Sequence, residues 1–290
     1  MAYLGIPQNT IAVLQKYHFN FQKKFGQNFL IDTTVLDRII SSAEITKEDC
    51  VLEIGPGIGT MTQYLAEHAG SVVAVEIDKA LIPILEETLQ DYDNVTVIND
   101  DILKVDINRL VEEKNGGRPI KVVANLPYYI TTPIIMGLFE SRVPLKSITI
   151  MVQKEVADKV LAQPGDDGWG MLSVRSQFYC DPYLAMDVPA KCFTPVPKVD
   201  SAFIVLPWRE TPAVQVQDEA DFFRVAQAAF ALRRKTMTNG LCAAFHMERA
   251  DAASLMQTAG LDERIRGEKL TLAEFARLAD AFTAWKAKQA

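Results

Sequence analysis

The stretch Val51-Leu52-Glu53-Ile54-Gly55-Pro56-Gly57-Ile58-Gly59-Thr60 decides the fold of this chain. An apolar run ends at Ile54, and three glycines spaced by two follow it. Such a run is typical of a strand buried in a parallel sheet, and a glycine turn lets the backbone come very close to a ligand at the carboxyl edge of that sheet. Taken alone, the turn has a simpler explanation, since a tight loop needs the same glycines.

Four similar runs follow the first one along the chain. Each is rich in β-branched residues, and intervals of roughly 20–30 residues leave room for a crossover helix between successive strands. This alternation predicts a doubly wound α/β fold with a parallel sheet. The four runs are Val72–Ile77, Val95–Ile98, Ile120–Ala124 and Ile148–Val152.

The pattern changes in the second half of the chain. Two more strand candidates, Tyr183–Met186 and Ala202–Leu206, flank a proline-rich stretch. A polar segment that ends at Asp218 is typical of a linker. Beyond it, apolar residues recur at helical spacing on one face, formed by Phe222, Val225, Ala226, Ala229 and Phe230.

The last helix is marked by a capping-box pattern at Thr271 and Glu274. We therefore predict two domains. Residues 1–207 form a Rossmann-like catalytic domain, and residues 216–290 form a small C-terminal all-helical domain.

The composition is that of an ordinary globular chain, with 290 residues, 49% of them hydrophobic, and a net charge of −7. That charge argues against a nucleic-acid partner, because phosphate binding calls for a positive surface. The acidity is local, however. Residues 51–100 contain nine acidic residues and one basic residue, and the rest of the chain has a balance of +1. A nucleic acid needs only one positive face.

Several classes of protein are excluded. No apolar run approaches the ~20 residues that a membrane helix needs, and the N-terminus does not resemble a signal peptide. The histidines are not in metal-ligand spacing, and the cysteines form no C-x-x-C pair. We expect a cytoplasmic protein without a membrane anchor or a metal. The cysteines are Cys50, Cys180, Cys192 and Cys242.

The glycine spacing indicates the class of cofactor. A dinucleotide fingerprint reads G-x-G-x-x-G, whereas this chain has G-x-G-x-G with an acidic residue two positions before Gly55. The pattern resembles the first motif of S-adenosylmethionine-dependent methyltransferases and disfavours a nicotinamide oxidoreductase. Glu76, at the end of the second strand, could accept hydrogen bonds from both ribose hydroxyls. Asp101 could accept from the adenine amine, although Asp100 is adjacent and either could be a turn residue.

The segment Asn125-Leu126-Pro127-Tyr128-Tyr129-Ile130 follows the fourth strand and resembles the N-L-P-Y motif of amino methyltransferases. The lone pair of an adenine N6 is delocalised into the ring, so its hydrogens must be held by acceptors. The Asn125 side-chain oxygen and the Leu126 carbonyl are suited to that role, and Pro127 stiffens the turn. Tyr128 can stack on the extruded base. The motif contains no strong base, which fits catalysis by positioning.

Further segments extend the likeness to one family. Lys24–Leu30, Gln153–Ala157, Phe193–Ser201 and Ala229–Thr236, together with the two motifs, resemble the small-subunit ribosomal RNA adenine N6,N6-dimethyltransferases. The resemblance implies S-adenosylmethionine as cofactor and dimethylation of two adjacent adenosines in a 3′-terminal hairpin loop. It also implies an immature 30S particle as substrate, late in subunit assembly, and a monomeric enzyme.

The family's site residues carry over onto matching positions. Phe193 would be a second stacking face opposite Tyr128, although a core aromatic residue would also fit there. The cofactor contacts implied are Asn28, Leu30, Gly55, Gly57, Glu76, Asp101 and Asn125.

RNA contacts are expected from local basic clusters, each of which could instead be a solvated face. They comprise Lys23, Lys24, Arg233, Arg234 and Lys235, then Arg264, Arg266 and Lys269. The chain departs from the family at Trp169, where tyrosine is usual, and at Thr238, where a basic residue is common. The second departure weakens the argument for a phosphate contact there.

Two alternative functions stay open. A large-subunit ribosomal RNA adenine methyltransferase of the antibiotic-resistance type shares the catalytic domain, but it usually lacks the Arg233-Arg234-Lys235-Thr236 segment. A ribosome-assembly factor could retain the fold without catalysis. The intact Asn125–Tyr128 motif argues against that loss.

Overall fold

The structure is a computed structural model that describes residues 3–19, 21–22, 26–232 and 234–289. The larger sheet has seven strands in the order β4-β3-β2-β5-β6-β9-β7. The short strands β1 and β8 pair separately and antiparallel. The strands are β1 (Phe29–Leu30), β2 (Cys50–Ile54), β3 (Ser71–Glu76), β4 (Val95–Asn99), β5 (Ile120–Asn125), β6 (Leu145–Gln153), β7 (Tyr183–Val188), β8 (Phe193–Thr194) and β9 (Ser201–Pro207).

Helices connect the strands in the alternation that the sequence predicts, and the fold class is confirmed. Up to β6 they are α1 (Pro7–Lys16), α2 (Thr33–Ser42), α3 (Thr60–His68), α4 (Ile82–Thr88), α5 (Ile107–Asn115) and α6 (Thr131–Glu140). Beyond β6 they are α7 (Lys154–Leu161), α8 (Met171–Tyr179), α9 (Glu219–Ala231), α10 (Met237–Phe245), α11 (Arg249–Thr258) and α12 (Leu272–Gln289).

The first five strands of the large sheet are parallel, and β9 and β7 are antiparallel additions at one edge. The chain builds outward from β2 through β3 to β4, and then crosses to β5 on the other side of β2. Because β2 and β5 are neighbours, the turns after both strands meet at one point of the carboxyl edge. This is the topological switch point, where doubly wound sheets bind their ligands.

The burial of the strands explains their apolar sequence. β2 is buried along its whole length, and β3 and β5 nearly so, as expected for parallel strands that are covered on both faces. Strand β4, at one edge of the sheet, is only partly buried. The amino end of β2 is fixed by Asp49. The Asp49 carboxylate forms ion pairs with the ammonium groups of Lys146 at 2.7 Å and Lys121 at 3.1 Å.

Residue contacts divide the chain into two compact units. The first unit contains the described residues up to Ala157 and the segment Pro182–Trp208, and it holds the large sheet. The second unit contains Asp158–Asp181 and the chain from Arg209 onward. It is helical, as expected, and the Thr271–Glu274 capping box is present at the start of α12.

The second unit differs from the predicted domain of residues 216–290 at two places: it includes Asp158–Asp181, with α8, and it resumes at Arg209, before the end of the linker. The physical reason is aromatic packing. The Phe178 ring lies 4.8 Å from that of Phe222 and 5.1 Å from that of Phe223. Trp169 is fully buried in the same cluster. Within the described ranges, no helix is both long and apolar enough to cross a membrane.

Candidate active site

A cavity opens at the carboxyl edge of the sheet, where the turns after β2, β3 and β5 converge with the turn before β1. The first unit provides all of its lining, which comprises Gly26, Gln27, Asn28, Phe29, Leu30, Glu53, Gly55, Pro56, Gly57, Thr60, Met61, Glu76, Ile77, Leu81, Asn125, Leu126, Pro127, Tyr128 and Tyr129. The structure thus brings most of the predicted cofactor residues together with the N-L-P-Y motif.

The glycine turn has the backbone that only glycine adopts readily. Gly55, Gly57 and Gly59 have φ of +71°, +62° and +92°. At Gly57 a side chain is also sterically excluded, because a Cβ atom would lie 2.8 Å from the Phe29 ring. The turn therefore keeps an open, backbone-lined wall next to β1.

Glu76 joins the glycine turn to the loop after β3. Its Oε2 accepts from the Gly57 N–H at 3.1 Å, and its Oε1 accepts from the Asp78 N–H at 2.7 Å. Burial raises the pKa of this carboxyl to about 7, although backbone hydrogen bonds from Asp78, Gly57 and Ile77 act in the opposite direction. The carboxylate is thereby fixed in position and keeps acceptor capacity on each oxygen.

Asn125 is fixed across the cavity by the turn before β1. Its Nδ2 donates to the Asn28 carbonyl oxygen at 3.1 Å. This contact settles which way the amide faces, because the nitrogen is used on Asn28 and Oδ1 stays available as an acceptor. Asn28 was predicted to contact the cofactor. In the structure its backbone carbonyl also holds the side chain of Asn125, the residue predicted to accept from the adenine N6.

The turn after Asn125 is stiffened by hydrogen bonds on Pro127, whose carbonyl accepts from the Ile130 N–H and the Thr131 hydroxyl. The Leu126 N–H donates to Met151 at 3.1 Å, and no described residue donates to the Leu126 carbonyl. Two acceptors, Asn125 Oδ1 and the Leu126 carbonyl, are therefore offered by adjacent residues.

Tyr128 is half-buried, and its hydroxyl shares a hydrogen bond of 2.9 Å with the Ser201 hydroxyl on β9. Burial raises the pKa of Tyr128 above its ordinary value. The bond holds the ring at the cavity wall, where a flat apolar surface can contact a ligand.

Two predicted site residues lie outside the cavity lining. Asp101 accepts from the Leu103 N–H at 3.1 Å and lies near Lys104 in the loop after β4. Phe193 is only 1% exposed and belongs to a core cluster with Leu30. The structure therefore matches the core interpretation of Phe193, and in this conformation its ring is not available to stack on a base.

Ten of the lining residues were not predicted as site residues, and three of them have chemistry or exposure that bears on a ligand: Glu53, Tyr129 and Ile77. Glu53 is completely buried, and burial raises the pKa of its carboxyl to about 8. Tyr129 is 55% exposed and packs near Gly26 at the mouth, and Ile77 is exposed beside Glu76. The sequence carried a signal for each, because all three lie within or directly beside the motifs that were singled out.

The basic clusters of the second unit are brought together by the fold. Arg234 and Lys235 are exposed just before α10, and the bridge between Thr236 and Arg266 places the Arg264–Lys269 loop beside them. Lys23, Lys24 and Arg233 lie outside the described residues. Thr238 is buried and donates to the Glu263 carbonyl at 2.8 Å, so a basic side chain at that position would have no access to a phosphate.

Comparison with known proteins relates the whole chain to one family. The family model described as ribosomal RNA adenine dimethylase matches residues 18–284. The ribosomal RNA small subunit methyltransferase A of Lachnoclostridium phytofermentans is 60% identical over 283 residues, which cover 97% of this chain and 98% of the relative.

Two solved structures share the architecture. A dimethyladenosine transferase from Plasmodium falciparum superposes with a TM-score of 0.74 at 24% identity, over 90% of this chain and 98% of that one. The 23S rRNA methyltransferase ErmE superposes with a TM-score of 0.68 at 27% identity, over 88% of this chain and 99% of that one. The first likeness concerns the fold, and the second bears on the choice of ribosomal subunit.

Proposed function

Because this chain belongs to the ribosomal RNA adenine dimethylase family, we propose that it methylates adenosine N6 atoms of small-subunit ribosomal RNA. The activity is that of an S-adenosylmethionine-dependent adenine dimethyltransferase. One observation best supports methyl transfer as the chemistry of this cavity. The hydrogen bond from Asn125 Nδ2 to the Asn28 carbonyl leaves Asn125 Oδ1 as an acceptor beside the Leu126 carbonyl.

The cavity fits the cofactor on its own features. Glu76 is held by two backbone N–H groups and keeps a lone pair on each oxygen for ribose hydroxyls. The glycine turn, where a Cβ at Gly57 would collide with Phe29, leaves room for close approach. Gly55, Leu30 and Asn28 line the same space. Asp101 would complete the set from just outside the lining.

Methyl transfer requires positioning of the amine more than a base. S-adenosylmethionine supplies an electrophilic methyl group when it is bound. Asn125 Oδ1 and the Leu126 carbonyl would accept the two N6 hydrogens, so that the nitrogen lone pair is turned out of conjugation. Pro127 keeps these acceptors at fixed positions through its own carbonyl contacts.

Tyr128 would hold the extruded base. A base stacked on an aromatic ring gains about 1–3 kcal/mol, and the hydroxyl bond to Ser201 keeps the ring from rotating away. Phe193 would take part as a second face only if the core around it rearranged, because it is buried against Leu30.

The proposed target is a pair of adjacent adenosines in the 3′-terminal hairpin loop of the small-subunit RNA, each of which would receive two methyl groups. The substrate would be an immature 30S particle in the cytoplasm, and the enzyme would act as a monomer. The exposed Arg234 and Lys235, with Arg266 beside them, would contact the RNA backbone. Lys23, Lys24 and Arg233 are proposed for the same role from the sequence.

A transfer assay tests the function. The full chain is incubated with labelled S-adenosylmethionine and with 30S particles from a strain that lacks this methylation, and the nucleosides are then analysed. We expect label in N6,N6-dimethyladenosine of the 3′-terminal hairpin. A chain that binds the cofactor and transfers no label to either ribosomal subunit would contradict the proposal and favour an assembly factor.

The large-subunit alternative is supported by the likeness to ErmE at 27% identity. The relative at 60% identity bears a small-subunit name and weighs more heavily. Parallel reactions with 30S and 50S particles separate the two. Label found only in the large-subunit RNA would reverse the assignment.

A further inference from the structure

Glu53 is a second buried acid in the cavity, and nothing in the proposed chemistry uses it. It lies on β2 beneath the glycine turn, and its side chain is completely shielded from solvent. Neither of its carboxyl oxygens has a hydrogen-bond partner among the described residues. A charged carboxylate without donors is costly to bury, since burial removes hydration that nothing replaces.

The surroundings of Glu53 contain no described cation that would hold it charged. The neighbouring strand positions are Ala74 on β3 and Val123 on β5, which carry no charge. On helix α3 the Thr62 hydroxyl is close enough to lower the pKa of Glu53, which burial nevertheless raises overall, but it does not meet the geometry of a hydrogen bond. The one charged group that acts on it is Glu76, whose like charge raises the pKa further.

The two acids, Glu53 and Glu76, differ in the number of hydrogen-bond donors that the backbone offers them. Glu76 receives two backbone N–H donors, at 3.1 Å and 2.7 Å, and can carry a negative charge. Glu53 receives none and lines the same cavity. Two carboxyl groups that share a site do not both ionise readily without a cation between them. The asymmetry leaves the charge on Glu76 and a proton on Glu53.

We propose that Glu53 is a proton-coupled sensor of cofactor charge, protonated in the free enzyme and ionised when a sulfonium enters the cavity. Only the O–H bond of Glu53 breaks, and the proton passes to solvent. S-adenosylmethionine carries one net positive charge, whereas the thioether left after methyl transfer is neutral overall. The ionised Glu53 therefore favours the methyl donor, and it takes a proton back when the product remains. The inference rests on the proposed function for the identity of the cofactor.

Isothermal titration calorimetry of the full chain tests the coupling. Binding enthalpies are measured at about pH 7.5 in buffers of different ionisation enthalpy, and their slope gives the number of protons released. Because burial raises the pKa of Glu53 to about 8, the free enzyme is largely protonated there at this pH, and binding of S-adenosylmethionine should release a substantial fraction of a proton. S-adenosylhomocysteine should release much less. Equal release with both ligands, or no dependence on the buffer, would overturn the proposal.

Calorimetry on two variants shows which residue releases the proton. Glu53→Gln should remove most of the release, leaving only what Glu76 contributes, and should reduce the preference for S-adenosylmethionine over S-adenosylhomocysteine. The matched control Glu48→Gln removes an exposed acid just before the same strand and should behave like the wild type. Full release from a folded Glu53→Gln variant would refute the assignment to Glu53.

An infrared difference spectrum of the wild type gives an answer even if Glu53→Gln does not fold. We expect the band of a protonated carboxyl in the free enzyme to disappear when S-adenosylmethionine is added and to persist with S-adenosylhomocysteine. Persistence of that band with both ligands would contradict the proposal. Failure of the proposed function is distinct, because it would appear as absent methyl transfer to RNA despite normal cofactor binding and proton release.

Discussion

The carboxylate of Glu76 accepts a hydrogen bond from the backbone N–H of Gly57, with 3.1 Å between Oε2 and N. Glu76 ends β3 and Gly57 lies in the turn after β2, so the contact ties two neighbouring strand ends together at the carboxyl edge. The acid predicted to hold the cofactor ribose is thus also part of the turn that makes room for the cofactor.

Glu76→Gln should weaken binding of S-adenosylmethionine by about 1–3 kcal/mol, because a charged acceptor is lost and the amide presents a donor toward the Gly57 and Asp78 N–H groups. Calorimetry measures the dissociation constant. The control Glu113→Gln alters an exposed acid that pairs with Arg109 and should leave affinity unchanged. Equal affinities for both variants would remove Glu76 from the cofactor site.

Asn125→Ala should abolish methyl transfer while RNA binding stays near that of the wild type. The substitution deletes the acceptor Oδ1 and also the donor that reaches Asn28. Single-turnover transfer from labelled cofactor gives the rate, and filter binding gives the RNA affinity. Near-normal turnover in Asn125→Ala would show that the acceptors for N6 lie elsewhere.

Tyr128→Phe and Tyr128→Ala separate the ring from its hydroxyl. Removal of the hydroxyl loses only the bond to Ser201, so we expect a modest fall in rate. Removal of the ring should cost roughly 1–3 kcal/mol of stacking with the base. The measurement is kcat/KM on undermethylated particles. If both variants lost the same activity, stacking would not be the function of Tyr128.

Lys235→Ala combined with Arg266→Ala should weaken RNA binding and reduce its salt dependence, because fewer counterions are released per complex. Both side chains are exposed and lie on adjoining loops of the second unit. The slope of log affinity against log salt concentration is the measurement. The control Lys104→Ala removes an exposed cation of the first unit, and an identical slope for both variants would exclude the second-unit surface.

Asp49→Asn should destabilise the fold by about 2 kcal/mol, less than the 3–5 kcal/mol typical of a broken buried pair, because Lys146 is half exposed. Burial alone would raise the pKa of Asp49, but hydrogen bonds from Lys146 and Lys121 hold it at about 2. A lowered carboxyl pKa stabilises the fold above about 3.8, and this contribution is lost as pH falls through 2.

Urea unfolding of Asp49→Asn and the wild type measures that difference. The control Asp187→Asn breaks an exposed pair with Lys154 and should change stability little. A smaller effect at Asp49 than at Asp187 would contradict the structural role of the buried cluster.

The sequence alone determined the sheet, the glycine turn and the position of the Asn125–Tyr128 motif. Continuous apolar runs such as Val51–Ile54 report burial on both faces, and residues such as Gly57 and Pro127 act through their own backbone restrictions. These properties are local, so the order of residues is enough to find them. The family likeness added the cofactor and the substrate, and the family membership is confirmed.

Only the tertiary structure decided how distant residues meet. The bond from Asn125 to Asn28 spans 97 positions of the chain, and the bridge from Thr236 to Arg266 joins two basic clusters that look separate in sequence. The burial of Phe193 and the unpartnered carboxyl of Glu53 are likewise set by what packs around them. Solvent exposure and hydrogen-bond partners arise from long-range packing, which no local pattern encodes.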